Sequence, residues 1–412
     1  ITRAIGRSPG TVFYDVTNFF FETARPDADF EDEDGNAVTG LRKFGVSKES
    51  RRQPIVQLGL FLDDNGIPIS FATFPGNMLD HHTLRPAMDE TVGDLGFRRF
   101  VLVADRGMYS GTNMHAVCEA GNGYIVSKSL RKTDRAERAW AIDPKGYTVV
   151  SERFRHKSRI VKRVVKDESG KRHEIREKVV VYWSKAFYER EKNENRSFME
   201  FLQKLRENPG SYRISSAHSK GLRRFLKKEY VNKVTGEKVN SADLMPMIDE
   251  SKLNEFNELM GYYQIVTSEL AMEDREVIEK YHGLTQIEDQ FREMKGTLET
   301  RPVFVQTPEH IKAHLMVCFM ALTMIRVIQR KTRLTAKPAK EDSKWSYGIP
   351  GARVSEALAG WQAVELPGEY YQMQKSKGDD IYAILRAFGM ELKAQLYTRG
   401  EIRELKATAS PF

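Results

Sequence analysis

Two stretches of this chain are apolar almost throughout and carry a single acid apiece. One is Thr11-Val-Phe-Tyr-Asp15-Val-Thr-Asn-Phe-Phe-Phe21, the other Arg99-Phe-Val-Leu-Val-Ala-Asp105. Their β-branched and aromatic content predicts strands, and a near-continuous apolar run predicts a strand buried on both faces. A carboxylate inside such a strand is costly unless a metal or a partner offsets it. Asp105 ends its strand and is followed by Gly107 and a predicted helix from Gly111 to Ala120. That is where α/β sheets gather their sites, at the carboxyl ends of strands. Each acid has a plainer alternative. Asp15 could bond nearby backbone at a strand end, and Asp105 could cap the helix that follows it.

The elements between and around these strands set the order. Ile55 to Leu62 and Ile67 to Phe74 read as a hairpin, turned at Asp63-Asp-Asn-Gly66, where the Asn-Gly pair supports the turn. Pro75-Gly-Asn77 ends the second strand, Asp80-His81-His82 follows, and a helix is predicted from Thr83 to Leu95. Adjacent histidines do not share a helical face, so capping or phosphate contact suits them better than a metal. Tyr124 to Ser127 is a further short strand. Residues 11–127 thus read β-β-β-α-β-α-β, the order of an RNase H-like fold. In that fold the first and fourth strands are neighbours, and they carry Asp15 and Asp105.

The third notable stretch is Tyr281-His-Gly-Leu-Thr-Gln-Ile-Glu288-Asp-Gln-Phe-Arg292-Glu-Met-Lys295. Tyr281, Glu288 and Lys295 are seven residues apart, so a continuous helix would align them with about 20° of drift per step. Arg292 shares that side, four residues beyond Glu288. Ile287, Phe291 and Met294 form an apolar stripe on a neighbouring face, enough to dock the helix while offering Glu288 to a cleft. For an isolated helix, a solvated surface with charge pairs would be the simpler account.

From Lys128 to about Glu269 the composition shifts. Residues 148–183 read as strands with a turn at Asp167-Glu-Ser-Gly170, and eleven lysines or arginines lie from Arg153 through Lys178. That fits a ribbon laid along phosphates, although exposed hairpins also carry lysines to block edge pairing. Charged helices are predicted over Lys185 to Glu207 and around Leu222 to Glu229, and Tyr262 to Ser268 as a returning strand. The segment 26–36 is an acidic loop without calcium-loop spacing. Leu41-Arg-Lys-Phe-Gly-Val-Ser-Lys48, with Arg51 and Arg52, is a basic stretch holding one aromatic; it suits a phosphate backbone or an ordinary surface loop. The expected domains are 1–127 and 270–331 as two parts of one core, 128–269 as a β-rich insertion, and 332–412 as a C-terminal region. That last region opens on a Lys-rich linker, with helices near Val354 to Gln362 and Asp379 to Leu392.

Several classes are excluded. His310 and His314 are four apart but Ile311 follows the first, so the His-Glu-x-x-His zinc pattern is missing. There is no phosphate-binding P-loop, no dinucleotide glycine fingerprint and no Gly-x-Ser-x-Gly elbow. The two cysteines, Cys118 and Cys318, make neither a disulfide scaffold nor a cysteine zinc site. The longest apolar run, Leu315 to Ile325, is too short to span a bilayer. A length of 412 residues predicts two or three domains, and a net charge of +8 favours a polyanionic partner. The chain begins at Ile1 without a methionine, and an upstream region is expected.

Together these motifs resemble the DDE transposases of bacterial insertion sequences, in the group with a YREK signature around the glutamate and a β-strand insertion before it. Tyr281, Glu288 and Lys295 match that signature, while Leu284 stands where the group has an arginine, leaving Arg292 to replace its contact. Tyr14-Asp15-Val-Thr, Phe74-Pro-Gly-Asn77, Ala104-Asp105-Arg106-Gly107 and Arg301-Pro-Val-Phe304 also look like this group. The resemblance implies an α/β, RNase H-like mixed sheet flanked by helices, interrupted by a large β-rich insertion, with a C-terminal helical region. It implies Asp15, Asp105 and Glu288 as catalytic residues and as ligands of two Mg²⁺ ions, with Mn²⁺ as substitute. Tyr281, Arg292, Lys295, Arg106 and Arg301 would contact DNA, and Trp183 or Trp140 would stack on a flipped base. The implied partner is double-stranded DNA, both transposon ends and target, bound by a homodimer in the bacterial cytoplasm at the nucleoid, with no membrane. The implied reaction is cleavage at transposon ends, in related enzymes through a hairpin, and strand transfer into target DNA. The competing expectations are an RNase H-fold nuclease or resolvase without strand transfer, and a catalytically inactive DNA-binding descendant.

Overall fold

The computed structural model describes residues 10–31, 35, 37–48, 52–91, 99–207, 225, 249–335, 348–374, 378–390, 392 and 395–405. Part of the acidic loop, Arg51, the expected helix end at Leu95, the expected helix around Leu222 to Glu229 (Phe225 apart) and the Lys-rich linker lie outside the described residues. The chain divides into two compact units. The first comprises 1–126, 164–174 and 279–412, the second 127–163 and 175–278.

The first unit is built on β1 (Thr11–Phe20), which is buried along its length except at Asp15, where it is partly open. A two-residue ladder, β2 (Phe30–Glu31) with β3 (Ala37–Val38), follows. Then come the hairpin strands β4 (Ile55–Asp63) and β5 (Pro68–Pro75), α1 (Asp80–Thr91), β6 (Val101–Ala104), α2 (Gly111–Glu119) and β7 (Gly123–Ser127). The strand order is β5-β4-β1-β6-β7. β4 runs antiparallel to β1, while β6 is parallel to β1 and β7 to β6. This is the order of an RNase H-like sheet, with the first and fourth strands side by side. The tight fit around β1 is visible at Gly59 on β4, where a Cβ would stand 2.5 Å from the Tyr14 hydroxyl.

The sequence leads to one continuous helix from Tyr281 to Lys295; the structure breaks it. One helix runs Asp274–His282 and a second Thr285–Lys295. The break falls where the chain packs on β1. Gly283 lies against Phe13 of β1, where a Cβ would come within 2.7 Å of the ring. Lys280 also donates to Thr11 at 3.0 Å. The second helix buries Gln286, Ile287, Gln290, Phe291 and Met294 and leaves Glu288 and Arg292 exposed.

That orientation is held by a buried polar network. Arg326 donates to Gln290 Oε1 at 2.5 Å, to Gln329 Oε1 at 2.7 Å and to the Asp289 carbonyl at 3.1 Å. Gln290 in turn donates to the Gly66 carbonyl at 3.1 Å. Arg326 sits on a 28-residue helix, Pro308–Thr335. By length and composition that helix is long enough to cross a membrane, which corrects the expectation drawn from its apolar run alone. Its inner face, including Ile311, Leu315, Leu322 and Arg326, is buried in the first unit. The region after 348 holds helices Gly351–Ala359, Asp380–Ala387 and Arg399–Glu404 and, beyond expectation, a three-stranded sheet of Ala363–Leu366, Tyr370–Met373 and Leu396–Thr398.

The second unit contains α3 (Arg135–Ile142), β8 (Thr148–Ser151), most of β9 (Phe154–Lys166) and β10 (Arg172–Ser184), and β11 (Tyr262–Thr267). It also holds helices Lys185–Glu194, Arg196–Glu207 and Glu250–Glu258. Phe201, Leu202, Phe225 and Leu253 form a small core among the helices. On the sheet, Arg163 pairs with the buried Glu137 at 3.0 Å and the buried Glu177 at 2.5 Å. The tip of the β9–β10 hairpin, 164–174, belongs to the first unit. There Val165 packs on Gly111 at the start of α2, Thr112 donates to the Lys166 carbonyl at 3.1 Å, and the His115 and His173 rings stack at 4.0 Å.

Replacing Arg326 with alanine leaves Gln290 Oε1 and Gln329 Oε1 buried without that donor. Charged hydrogen bonds of this kind are worth about 1.5–3 kcal/mol each, so we expect R326A to lower unfolding free energy by about 3 kcal/mol in urea titrations. A change below about 1 kcal/mol would show that the network does not hold the Glu288 helix.

Candidate active site

The first unit brings Asp15 and Asp105 together. Tyr14 on β1 pairs with Ala104 on β6 in parallel register, so the next residue on each chain is an aspartate. Neighbouring strands lie about 4.8 Å apart, and matched positions on parallel strands point to the same face. Burial pushes the Asp15 carboxyl up to about 6, with the charges of Asp105 and Asp80 adding to the rise and Lys48 and the Val16 backbone amide opposing it. Asp105 makes no side-chain cap on the turn that follows it. It accepts instead from the Tyr281 hydroxyl at 3.2 Å.

Sequence reading missed two members of this group. Asp80, first residue of α1, carries no role on sequence grounds, yet its charge reaches both Asp15 and the Tyr14 hydroxyl. The link is built: Tyr14 donates to Thr83 Oγ1 at 2.8 Å, and Thr83 donates to the Asp80 carbonyl at 2.6 Å. Lys48, part of the basic stretch, donates to the Val16 carbonyl and faces Asp15. The Asp-His-His triplet and the lone lysine after Val46 were visible, but only folding shows where they go.

The Glu288 helix flanks this group. Lys295, seven residues beyond Glu288, lies over the Phe19 ring of β1 at 5.9 Å. Burial and the charge of Lys48 bring its pKa down to about 8. Tyr281, seven residues before Glu288, touches Asp105. Glu288 is therefore bracketed by one contact to each aspartate-bearing strand, and its own side chain is exposed. Among the described residues no group of three or more His, Cys, Asp or Glu side chains is arranged to hold a metal ion. Asp15 and Asp105 alone fit a hard divalent cation: two oxygen donors side by side, with a repulsion that a cation would relieve.

The other expected contacts are dispersed. Arg106 is exposed on the turn after Asp105. Arg292 is exposed and pairs with Asp289 at 2.9 Å. Arg301 lies over Phe20, at the far end of β1, at 5.8 Å. Trp183 belongs to the second unit, against Gly261 and the Arg155 guanidinium at 5.1 Å. Trp140, in the same unit, stacks under Arg159 at 4.1 Å.

A sheet of this order, with an aspartate on β1 and another just past β6, is an RNase H-like fold. The particular family follows from comparison: residues 23–324 match the model for the transposase DDE domain, and the chain belongs to that family. The matched span includes Asp105 and Glu288 and begins after Asp15. No curated protein sequence matches the chain. Among solved structures, it is similar to a piggyBac transposase synaptic complex with hairpin DNA, seen by cryo-EM, at 11% identity and a TM-score of 0.25. That likeness covers 98% of this chain and 66% of the other. The chain thus spans just under two thirds of the length of the chain it matches.

A carboxyl whose pKa is higher folded than unfolded binds its proton more tightly in the folded state. Asp15 therefore costs stability as pH rises from its ordinary 3.8 through about 6, and the cost is complete above that. Asp15→Asn removes it. In EDTA at pH 7.5 we expect D15N to be more stable than the unaltered chain by on the order of 1–3 kcal/mol, with the gain gone at pH 4. Thermal melts at the two pH values decide it; a lower melting temperature for D15N at pH 7.5 would mean that the ionised carboxylate stabilises the fold.

Proposed function

We propose that this protein is a DDE transposase that cuts DNA at transposon ends and joins the freed ends to target DNA. The observation that carries the reading is the side-by-side placement of Asp15 and Asp105, with Tyr281 bonded to Asp105 beside the Glu288 helix. On this reading 128–269 is an insertion into a core made of 1–127 and 270–331, and the protein works on double-stranded DNA as a dimer.

Asp15 and Asp105 are the ligands for Mg²⁺, and Glu288 is the third acid, brought to them when DNA occupies the cleft. Bound there, a pair of such ions would activate the attacking hydroxyl and stabilise the leaving oxygen. Tyr281 fixes the Asp105 carboxylate by its hydrogen bond. Lys295 and Lys48 stand beside β1 and offer positive charge to the phosphate that arrives there. A phosphate next to Lys295 would reverse the depression of its pKa, so substrate binding itself fixes the lysine in its charged form. Arg106 and Arg292, both exposed, extend that charge along the backbone of the DNA.

The test uses duplex DNA that flanks the coding sequence in its genome. D105N and E288Q are expected to lose Mg²⁺-dependent strand cleavage by about 10³-fold, equivalent to about 4 kcal/mol of barrier, while DNA affinity changes by a few-fold at most. Cleavage at the unaltered rate in either variant would remove that residue from the mechanism. Cutting without any end joining would favour the nuclease reading, and binding without cutting the inactive one.

A further inference from the structure

The helix Pro308–Thr335 has an apolar face that the core does not use. Its inner face is held in the first unit by Arg326 and by Ile311, Leu315 and Leu322. On the other side Met316, Val317, Met320 and Met324 are between 44% and 61% exposed. A single exposed apolar side chain is ordinary, but four so close together on one helix face make a patch of the kind that marks a docking surface.

The patch is symmetric in its spacing. Measured from Met320, Met316 and Met324 lie four residues to either side, Ala313 and Val327 seven, and Glu309 and Lys331 eleven. At about 100° per residue all of them fall within about 40° of Met320 around the axis, in one stripe about 33 Å long. Glu309, Ala313 and the methionines are exposed, and Val327 and Lys331 partly so. The two halves match chemically as well: apolar answers apolar, and an acid answers a base.

A stripe that reads alike from both ends, with opposite charges at those ends, fits a copy of itself turned round. Two copies laid antiparallel bring Met320 onto Met320, Met316 onto Met324, Ala313 onto Val327 and Glu309 onto Lys331. Every pair but the central one is made twice, as a two-fold contact requires. Laid parallel, glutamate would meet glutamate and lysine would meet lysine, so charge selects the direction. An eleven-residue repeat nearly matches three turns of ordinary helix, and two such helices pair with little supercoiling. Methionines, unbranched and polarisable, fill such a seam without strict shape matching.

We propose that this stripe docks a second copy of the chain, the two helices antiparallel across a two-fold axis at Met320, with no DNA needed. Neither the aspartate pair nor the Glu288 helix supplies a residue to it, so the contact stands or falls apart from the DNA-cutting reading.

Sedimentation equilibrium of the full chain without DNA tests it. One helix pair is at the small end of specific interfaces, so over about 1 to 200 μM we expect a monomer–dimer equilibrium with a dissociation constant on the order of 10 μM. M320E sets two carboxylates face to face at the axis and should weaken association by about 100-fold or more, with its melting temperature kept because the side chain is exposed. E309K and K331E should each weaken it by about fivefold. Mixed together, those two variants should associate as the unaltered chain does, because each supplies the charge that the other lacks, and the double variant E309K/K331E should recover likewise. A monomer throughout the range, an M320E chain that still dimerises, or a mixture no tighter than its parts would overturn the pairing and leave the DNA reading untouched. A monomer that floats with phosphatidylcholine vesicles would overturn it too, and give the stripe to a lipid surface.

Discussion

A carboxylate set midway along a buried strand controls much of this structure. Asp15 cannot be ionised cheaply where it lies, and the elements around it answer that difficulty. β6 delivers Asp105 to the same face and makes the repulsion worse, while Lys48 is folded back from the basic stretch to soften it. Tyr281 binds the second aspartate, and Tyr14, next to the first, is tied through Thr83 to the start of α1. The sheet order meets the same demand, since the parallel pairing of β1 with β6 is what makes the two acids neighbours.

The second half of the core works from the other side. Gln290 and Arg326 hold the inner face of the Thr285–Lys295 helix, and that fixes which residues face outward. Glu288 is exposed because Ile287, Gln290 and Phe291 are not. The buried Arg326 is satisfied by two amide side chains and the Asp289 carbonyl, with the Glu293 carboxylate at 3.8 Å, and so ties the helix down at several points along its inner face.

Much of this was legible in the chain, and the reason is local. A run of β-branched and aromatic residues with one acid announces a strand and marks a candidate site at once, as at Asp15 and Asp105. The stripe of Ile287, Phe291 and Met294 reads directly as a buried helix face, and the structure buries all three. What was not legible depends on approach between distant residues. The break at Gly283 falls against Phe13, some 270 positions earlier, and no periodicity within 281–295 records it. Asp80 has no visible role in the chain until Thr83 and Tyr14 are seen to join it to β1. The small sheet after 362 was missed because its strands are short, exposed and weakly patterned.

The hairpin of β9 and β10 serves two masters. Its stem belongs to the second unit, but its tip covers the start of α2, with Val165 seated on Gly111 and His173 stacked on His115. A chain shortened by joining 127 to 279 would uncover α2, the helix that follows Asp105, and would strip packing from the core it was meant to isolate.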